Sequence, residues 1–230
     1  MKSRLIFCVS ALCILTMLTA STLSGCGVDP NVKQEEEAST EYKVDIGGDE
    51  EEAEGEGFHA YGKGKTDSIE LDGVEVSVQD FAVRSYELAY MLAQGNFEKP
   101  EEIALDAAVQ YAFAHIYFED LYTIENKAVR YRSATEEQIR EKLRELFGTD
   151  DFDVTASVLY QPSKQSFEMW MPAYGTNIYY NIDAVNIDGS KAEIITTYYN
   201  EFKRSTLFGR TTMTVAVKDG KPVIQSLKTE

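Results

Sequence analysis

The chain has 230 residues, 43% of them hydrophobic and 27% charged, and a formal net charge of −17 at pH 7. That length accommodates one domain with a core of its own. The negative balance excludes a nucleic-acid binder, which sets clustered Lys and Arg against phosphate, and it excludes charge-driven adsorption to anionic lipid.

Residues 1–25 divide into three zones. Lys2 and Arg4 make a short positive start, Ile6 to Leu18 is an almost unbroken apolar run, and small or polar residues follow from Ala20 to Gly25. This is the layout of a secretory signal, and the apolar run is shorter than the roughly 20 residues a membrane-spanning helix takes. The end of the leader, Leu23-Ser24-Gly25-Cys26, resembles the lipobox of bacterial lipoproteins. The resemblance implies cleavage before Cys26, lipid on its thiol, and a protein anchored in the cell membrane on its extracytoplasmic face. Two or more acyl chains hold a protein stably, at about 0.8 kcal/mol per buried methylene. Cys8 and Cys13 lie in the leader, so no disulfide is expected in the mature chain. Its stability then rests on its core alone.

Residues 26–66 read as a tether. Between residues 27 and 58 there are twelve acids and two lysines and few apolar residues. Such a composition cannot bury enough surface to offset ordering entropy. A flexible segment of about 40 residues reaches roughly 35 Å. No calcium-loop pattern accompanies Asp49-Glu50-Glu51-Glu52, so a spacer is the simpler reading.

The folded domain is expected over residues 67–230. "SIELDGVEVS" alternates Ile69 and Leu71 with Val74 and Val76 around Asp72-Gly73, a two-residue turn signal, and reads either as a small hairpin or as one strand leading into a helix. Three helical patterns follow. Residues 79–94 carry Phe81, Leu88 and Met91. Residues 100–122 open with Pro100 and repeat Leu105, Val109, Ala112 and Ile116 at helical spacing. The third begins with a capping box, Thr135 to Gln138, carries Ile139, Leu143, Leu146 and Phe147, and stops at Gly148. After Asp153 the period changes to two. "VTASVLYQ", "QSFEMWM", "NIYYNIDAVNI", "KAEIITTYYN", "TTMTVAV" and "PVIQSL" read as strands, with tight turns at Asp188-Gly189 and Asp219-Gly220. In the last hairpin Val215 should face Ile224, and Val217 should face Pro222.

The expected fold is therefore α+β: about three N-terminal helices packed on a curved antiparallel sheet of about five to six strands. Helices first, then a meander closed by "VKDGKPVIQSL", resembles the NTF2-like superfamily in order and length. A cystatin-like sheet is the rival. The NTF2-like resemblance implies a concave sheet face under the helices and a sheet able to pair two copies as a homodimer. It leaves function open, since that superfamily holds isomerases and lyases as well as binding modules. "LDGVEVSVQDF" also resembles the N-terminal region of secreted peptidyl-prolyl foldases, although no isomerase domain follows.

Candidate sites are few. His59 falls in the tether and is expected to be solvated. His115 shares a helix face with Tyr111 and would be a general base only if that helix lined a cavity; a structural histidine is the simpler reading. Metal-ligand spacing, a nucleophile motif and a phosphate-binding loop are all missing, so neither metal nor cofactor is expected. The strands are rich in aromatics, and Trp170, Tyr174, Tyr180 and Tyr199 are the candidates for a ligand-facing surface. Tyr179 and Tyr180 must point to opposite faces. The expectation is a non-catalytic binding module for an unidentified protein, peptide or envelope component. The alternatives are an isomerase or lyase with His115 as base, and a chaperone-like binder of secreted chains.

Overall fold

The computed structural model describes residues 58–64, 66–124, 131–172 and 174–230. The leader, Cys26 and the tether up to residue 57 lie outside them. The described chain is α+β, with three α-helices, a five-stranded mixed sheet and two smaller sheets.

The main sheet has the order β1-β7-β8-β9-β10. Its strands are β1 (Ala60–Lys63), β7 (Ile178–Asp188), β8 (Lys191–Tyr199), β9 (Leu207–Lys218) and β10 (Lys221–Thr229). The last four form the antiparallel meander that the period-two pattern predicts. In β8 every second residue from Ala192 to Tyr198 is buried, which is what one packed face and one free face require. The final turn has Asp219 and Gly220 at φ 52° and 73°, and Val215 pairs with Ile224 and Val217 with Pro222 as expected.

Two expectations need correction here. The sheet is not purely antiparallel, because β1 runs parallel to β7, with Tyr61 opposite Tyr179 and Gly62 opposite Tyr180. β1 also belongs to the stretch that composition assigns to the tether. Ala60 and Tyr61 are buried, and the backbone N–H of His59 donates to Asn177 Oδ1 at 2.8 Å. His59 itself is 6% exposed, so it is not solvated. Acid content misled the boundary: the charge run ends at Glu56, and the "FHAYGK" soon after it carries a short strand, Ala60–Lys63, with apolar and aromatic contacts.

β2 (Ser68–Leu71) and β3 (Val74–Ser77) make the hairpin around Asp72-Gly73, both at positive φ. Ser77 then caps α1 (Val78–Tyr86), its Oγ accepting from the Asp80 N–H at 3.2 Å. α1 runs on into a π-helical turn, Glu87–Met91, in which the Leu92 N–H donates to Glu87 O at 3.0 Å. The second helical pattern is shorter than expected. Pro100–Glu102 is a separate 3₁₀ turn, and α2 spans Leu105–Tyr117. Ile103 is extended and Ala104 is non-helical between them, and Gln94 Oε1 accepts from the Ala104 N–H at 3.1 Å. α3 (Glu136–Phe147) has the reciprocal capping box of Thr135 and Gln138 and ends on Gly148 in the left-handed region.

The "VTASVLYQ" stretch folds as a 3₁₀ turn, Val154–Ala156, followed by only two paired residues in β5 (Tyr160–Gln161). "QSFEMWM" supplies β6 (Ser166–Trp170), which joins β4 (Tyr131–Thr135) and β5 in a separate sheet of order β4-β6-β5. β4 was not foreseen, since "YRSAT" carries little apolar alternation.

A large core joins α2 and α3 to the sheet, and a second, smaller apolar cluster gathers Ala82, Val83, Tyr180 and Tyr198 under α1. Val109 and Phe113 of α2 and Ile139, Leu143 and Phe147 of α3 pack with Ile194, Met213, Val215 and Ile224 of the sheet. α1 lies over β7, β8 and β9, where Tyr198 Oη donates to Ala82 O at 2.6 Å and meets the hydroxyls of Ser85 and Thr211. The sheet face under the helices is thus filled with side chains.

Candidate functional site

The π-helical turn places a carboxylate where the packing tolerates none without partners. Glu87 is fully buried. Its Oε1 accepts from the Leu121 N–H at 2.5 Å, and its Oε2 accepts from Tyr111 Oη at 3.2 Å and lies 3.3 Å from His115 Nε2. Tyr111 and His115 stand one turn apart on α2 and meet edge to face, with ring centroids 4.4 Å apart. Burial, then the adjacent Glu87 charge, holds the Tyr111 phenol well above its ordinary pKa. Buried charge persists only where hydrogen bonds surround it, and Glu87 has three neighbours supplied by α2 and the segment after it.

That segment turns away from α2 at Phe118 and carries Glu119, Asp120 and Tyr122 toward α1. Between them and Gln79, Asp80, Val83 and Arg84 of α1 is a cleft of about 250 Å³, with Tyr180 of β7 also lining it. Tyr180 Oη donates to Gln79 Oε1 at 2.6 Å, which fixes the amide, and Gln79 Nε2 lies 3.4 Å from Asp67 Oδ1. The Arg84 guanidinium sits 5.3 Å from the centre of the Phe81 ring, and no ion pair or hydrogen bond engages it among the described residues.

Two groups in the cleft depart from ordinary behaviour. Burial pushes the Asp120 carboxyl up to about 7. The negative charge of Glu87 adds to the rise, Asp80 and Glu119 contribute, and Arg84 opposes it. Tyr122 is wholly buried, yet its hydroxyl has no hydrogen-bond partner among the described residues. Burial, with Asp120 next, raises its pKa as well. A carboxyl group near neutrality can give or take a proton, or neutralise a cation that enters. No cluster of three or more metal-ligating side chains occurs among the described residues. A larger groove, about 510 Å³, runs along Glu136, Arg140 and Arg144 of α3, but it is an open helix surface whose Arg140 and Arg144 are already paired with Glu136 and Asp150.

The residues singled out from sequence scatter. His115 is held on Glu87 and does not line the cleft. Trp170 is 65% exposed on β6, beside Tyr131 at 47%, with ring centroids 5.7 Å apart. Tyr174 is half-buried and its hydroxyl accepts from Gln110 Nε2 at 2.5 Å. Tyr180 is buried under α1. Tyr199 follows the inward-facing Tyr198, lies on the opposite face of β8 and accepts from Asn181 Nδ2 at 3.1 Å. Trp170, Tyr180 and Tyr199 thus occupy different surfaces and make no shared platform. Tyr179 and Tyr180 do point to opposite faces: Tyr179 stacks on Tyr61 at 5.1 Å while Tyr180 enters the core. Glu87, Arg84 and Tyr122 were missed. The only sequence signal was the polar face of α1, with Asp80, Arg84 and Glu87 at helical spacing, and it reads equally well as a solvated face.

Comparisons with family models, with curated proteins and with solved structures each found no match.

Proposed function

We propose that the chain is a lipid-anchored, extracytoplasmic binding module without catalytic activity, held on the membrane through Cys26 and presenting an NTF2-like domain to a protein, peptide or envelope component. The observation that carries this reading is the exposed Trp170–Tyr131 pair on the outward face of β4 and β6. The other members of that sheet face are polar, with Glu168 bonded by Tyr131 and Lys164. Large aromatic side chains held at a surface are what binding anchors require. The filled sheet face beneath the helices speaks against a deep substrate cavity of the isomerase kind.

Trp170 is the only tryptophan of the chain, so its emission reports on this face alone. Adding isolated envelope fragments or secreted protein should shift Trp170 emission to the blue and reduce its quenching by iodide, and Trp170→Ala should abolish retention on those fragments. Unchanged emission and retention would defeat the reading. The anchor is tested separately by incorporation of labelled palmitate, expected in the wild type and absent in Cys26→Ser.

Acid–base chemistry is the second reading, and one observation favours it: the Asp120 carboxyl at about 7 in a cleft. In that case Asp120, rather than the Glu87-bound His115, is the group exposed to a substrate.

A further inference from the structure

The cleft between α1 and the segment after α2 shares no residue with the Trp170 face, and its chemistry is different. Its acidic groups outnumber its basic one: Asp80, Glu119 and Asp120 stand against Arg84. Acidity by itself says little on so acidic a chain. The independent observation is Tyr122, a fully buried side chain that lines the cleft with an orphaned hydroxyl. A buried hydroxyl left unbonded is destabilising, and native structures rarely carry one without a reason. The rings of Tyr122 and Tyr180 bring π surface to the same space. We infer that this cleft binds a ligand through a protonated amino group, with Asp120 as the counter-ion and the Tyr122 hydroxyl as an added acceptor.

Each feature fits that chemistry. An ammonium has three donors and no acceptor, so it suits a site offering a carboxylate and a phenolic oxygen. Its charge is compatible with the surplus of acid in the lining. The hydroxyl is shielded from bulk water, on a side chain that lines the cleft. Among the described residues the Arg84 side chain has no ion pair or hydrogen bond, only its contact over the Phe81 ring, so it can swing aside to admit a small group. Asp120 is faced by Glu87, Asp80 and Arg84 of α1 and its turn, by neighbouring Glu119, and by Tyr122. A bound cation favours its ionised form and displaces its proton, so binding strengthens as pH rises through 7. Two sources share this chemistry, a simple alkylamine and an amino-acid zwitterion whose carboxylate would meet Arg84.

The test is a titration of the full chain followed by backbone amide resonances of Val83, Arg84 and Asp120, with propylamine, glycine and 1-propanol as probes and KCl as the ionic-strength control. Saturable shifts are expected with at least one of the two amines and not with 1-propanol. The affinity should rise about tenfold from pH 6 to pH 8, following the ionised fraction of Asp120. Asp120→Asn should weaken binding by about tenfold or more. Tyr122→Phe should weaken it about threefold or more without lowering the melting temperature, since the lost hydroxyl has no partner among the described residues. Arg84→Gln separates the sources: it should tighten propylamine and weaken glycine. Absence of saturable shifts with both amines, equal binding of 1-propanol, or binding indifferent to both Asp120→Asn and Tyr122→Phe would each overturn the inference.

Discussion

Replacing Glu87 with Ala would strip the core of an acceptor on which three groups converge. The Leu121 N–H at 2.5 Å, Tyr111 Oη at 3.2 Å and His115 Nε2 at 3.3 Å would lose their common partner. None can turn to solvent, because Leu121 and Tyr111 are 0% exposed and the His115 side chain 5%. Leaving a buried donor unsatisfied costs about 1–3 kcal/mol, and breaking a buried charged network about 3–5 kcal/mol. The expected loss is therefore about 3–5 kcal/mol, a large share of the roughly 5–15 kcal/mol that holds a domain together. With a urea dependence of about 2 kcal/mol per molar, the unfolding midpoint should fall by about 2 M. Glu87→Gln keeps an acceptor for the Leu121 N–H and nearly the same volume, so it should cost only about 1–2 kcal/mol. Urea unfolding followed by circular dichroism measures all three proteins. An Ala variant whose midpoint stays within about 0.5 M of the wild type would refute the claim that these hydrogen bonds organise the junction of α1 and α2.

Other perturbations test other parts of the structure. The Asp120 carboxyl binds its proton more tightly folded, at about 7, than at its ordinary 3.8. Folding stability should therefore fall as pH rises from about 4 to about 7 and level off above. The shift bounds the effect at about 4 kcal/mol, which solvent screening reduces; Asp120→Asn should raise stability at pH 8 by about 1–2 kcal/mol and flatten the pH profile of the melting temperature. Gly62→Ala sets a Cβ 2.6 Å from the Tyr180 ring and 2.7 Å from Gln79 Oε1, both buried. It should cost about 1–3 kcal/mol, as overpacking does; a neutral result in thermal melting would mean that β1 does not dock on β7. Gly148→Ala combines a φ of +69° with a Cβ 3.2 Å from Val223, and should lower stability by about 1 kcal/mol or more in the same assay. Trp170→Ala, by contrast, should change stability by no more than about 0.5 kcal/mol, because the side chain is largely exposed.

Where a local rule had a strong physical cause, the sequence was a good guide. The Asp72-Gly73 and Asp219-Gly220 turns demand positive φ at consecutive residues, and few sequences other than Asp-Gly or Asn-Gly supply it. The Thr135–Gln138 box satisfies two backbone donors reciprocally, and Gly148 closes the same helix for want of a Cβ. The alternation in "KAEIITTYY" follows from a sheet with one covered face. Each of these signals is decided within a few residues. The errors arise where the deciding partner is remote. β1 has four residues, and its strand character rests on β7, more than a hundred positions away. The break at Ile103 and Ala104 depends on Gln94 reaching over to the Ala104 N–H, whereas the apolar spacing of residues 100–122 alone reads as one helix.

The candidate site was harder to see for the same reason, and its geometry shows why. His115 drew attention because a lone histidine on a helix with a nearby tyrosine has the composition of a catalytic pair. What sets its surroundings is Glu87, 28 positions earlier, on a π-helical turn from which its carboxylate reaches α2 and the segment after it. No propensity predicts a buried glutamate, since burial penalises it everywhere except where three neighbours converge. Once Glu87 is fixed, much else follows from it. It ties the Leu121 N–H, beside which Asp120 and Tyr122 stand at the cleft. Its charge adds to the burial that keeps the Asp120 proton on near neutrality. His115 is then a support for the carboxylate, and Asp120 is the group open to chemistry. This ordering has a direct consequence for Glu87→Gln. Removing the Glu87 charge should lower the Asp120 pKa, because the second-largest cause of its rise is gone. Nuclear magnetic resonance titration of the Asp120 carboxyl carbon measures it, and a midpoint that stays at about 7 in the Gln variant would break the link between the buried carboxylate and the cleft.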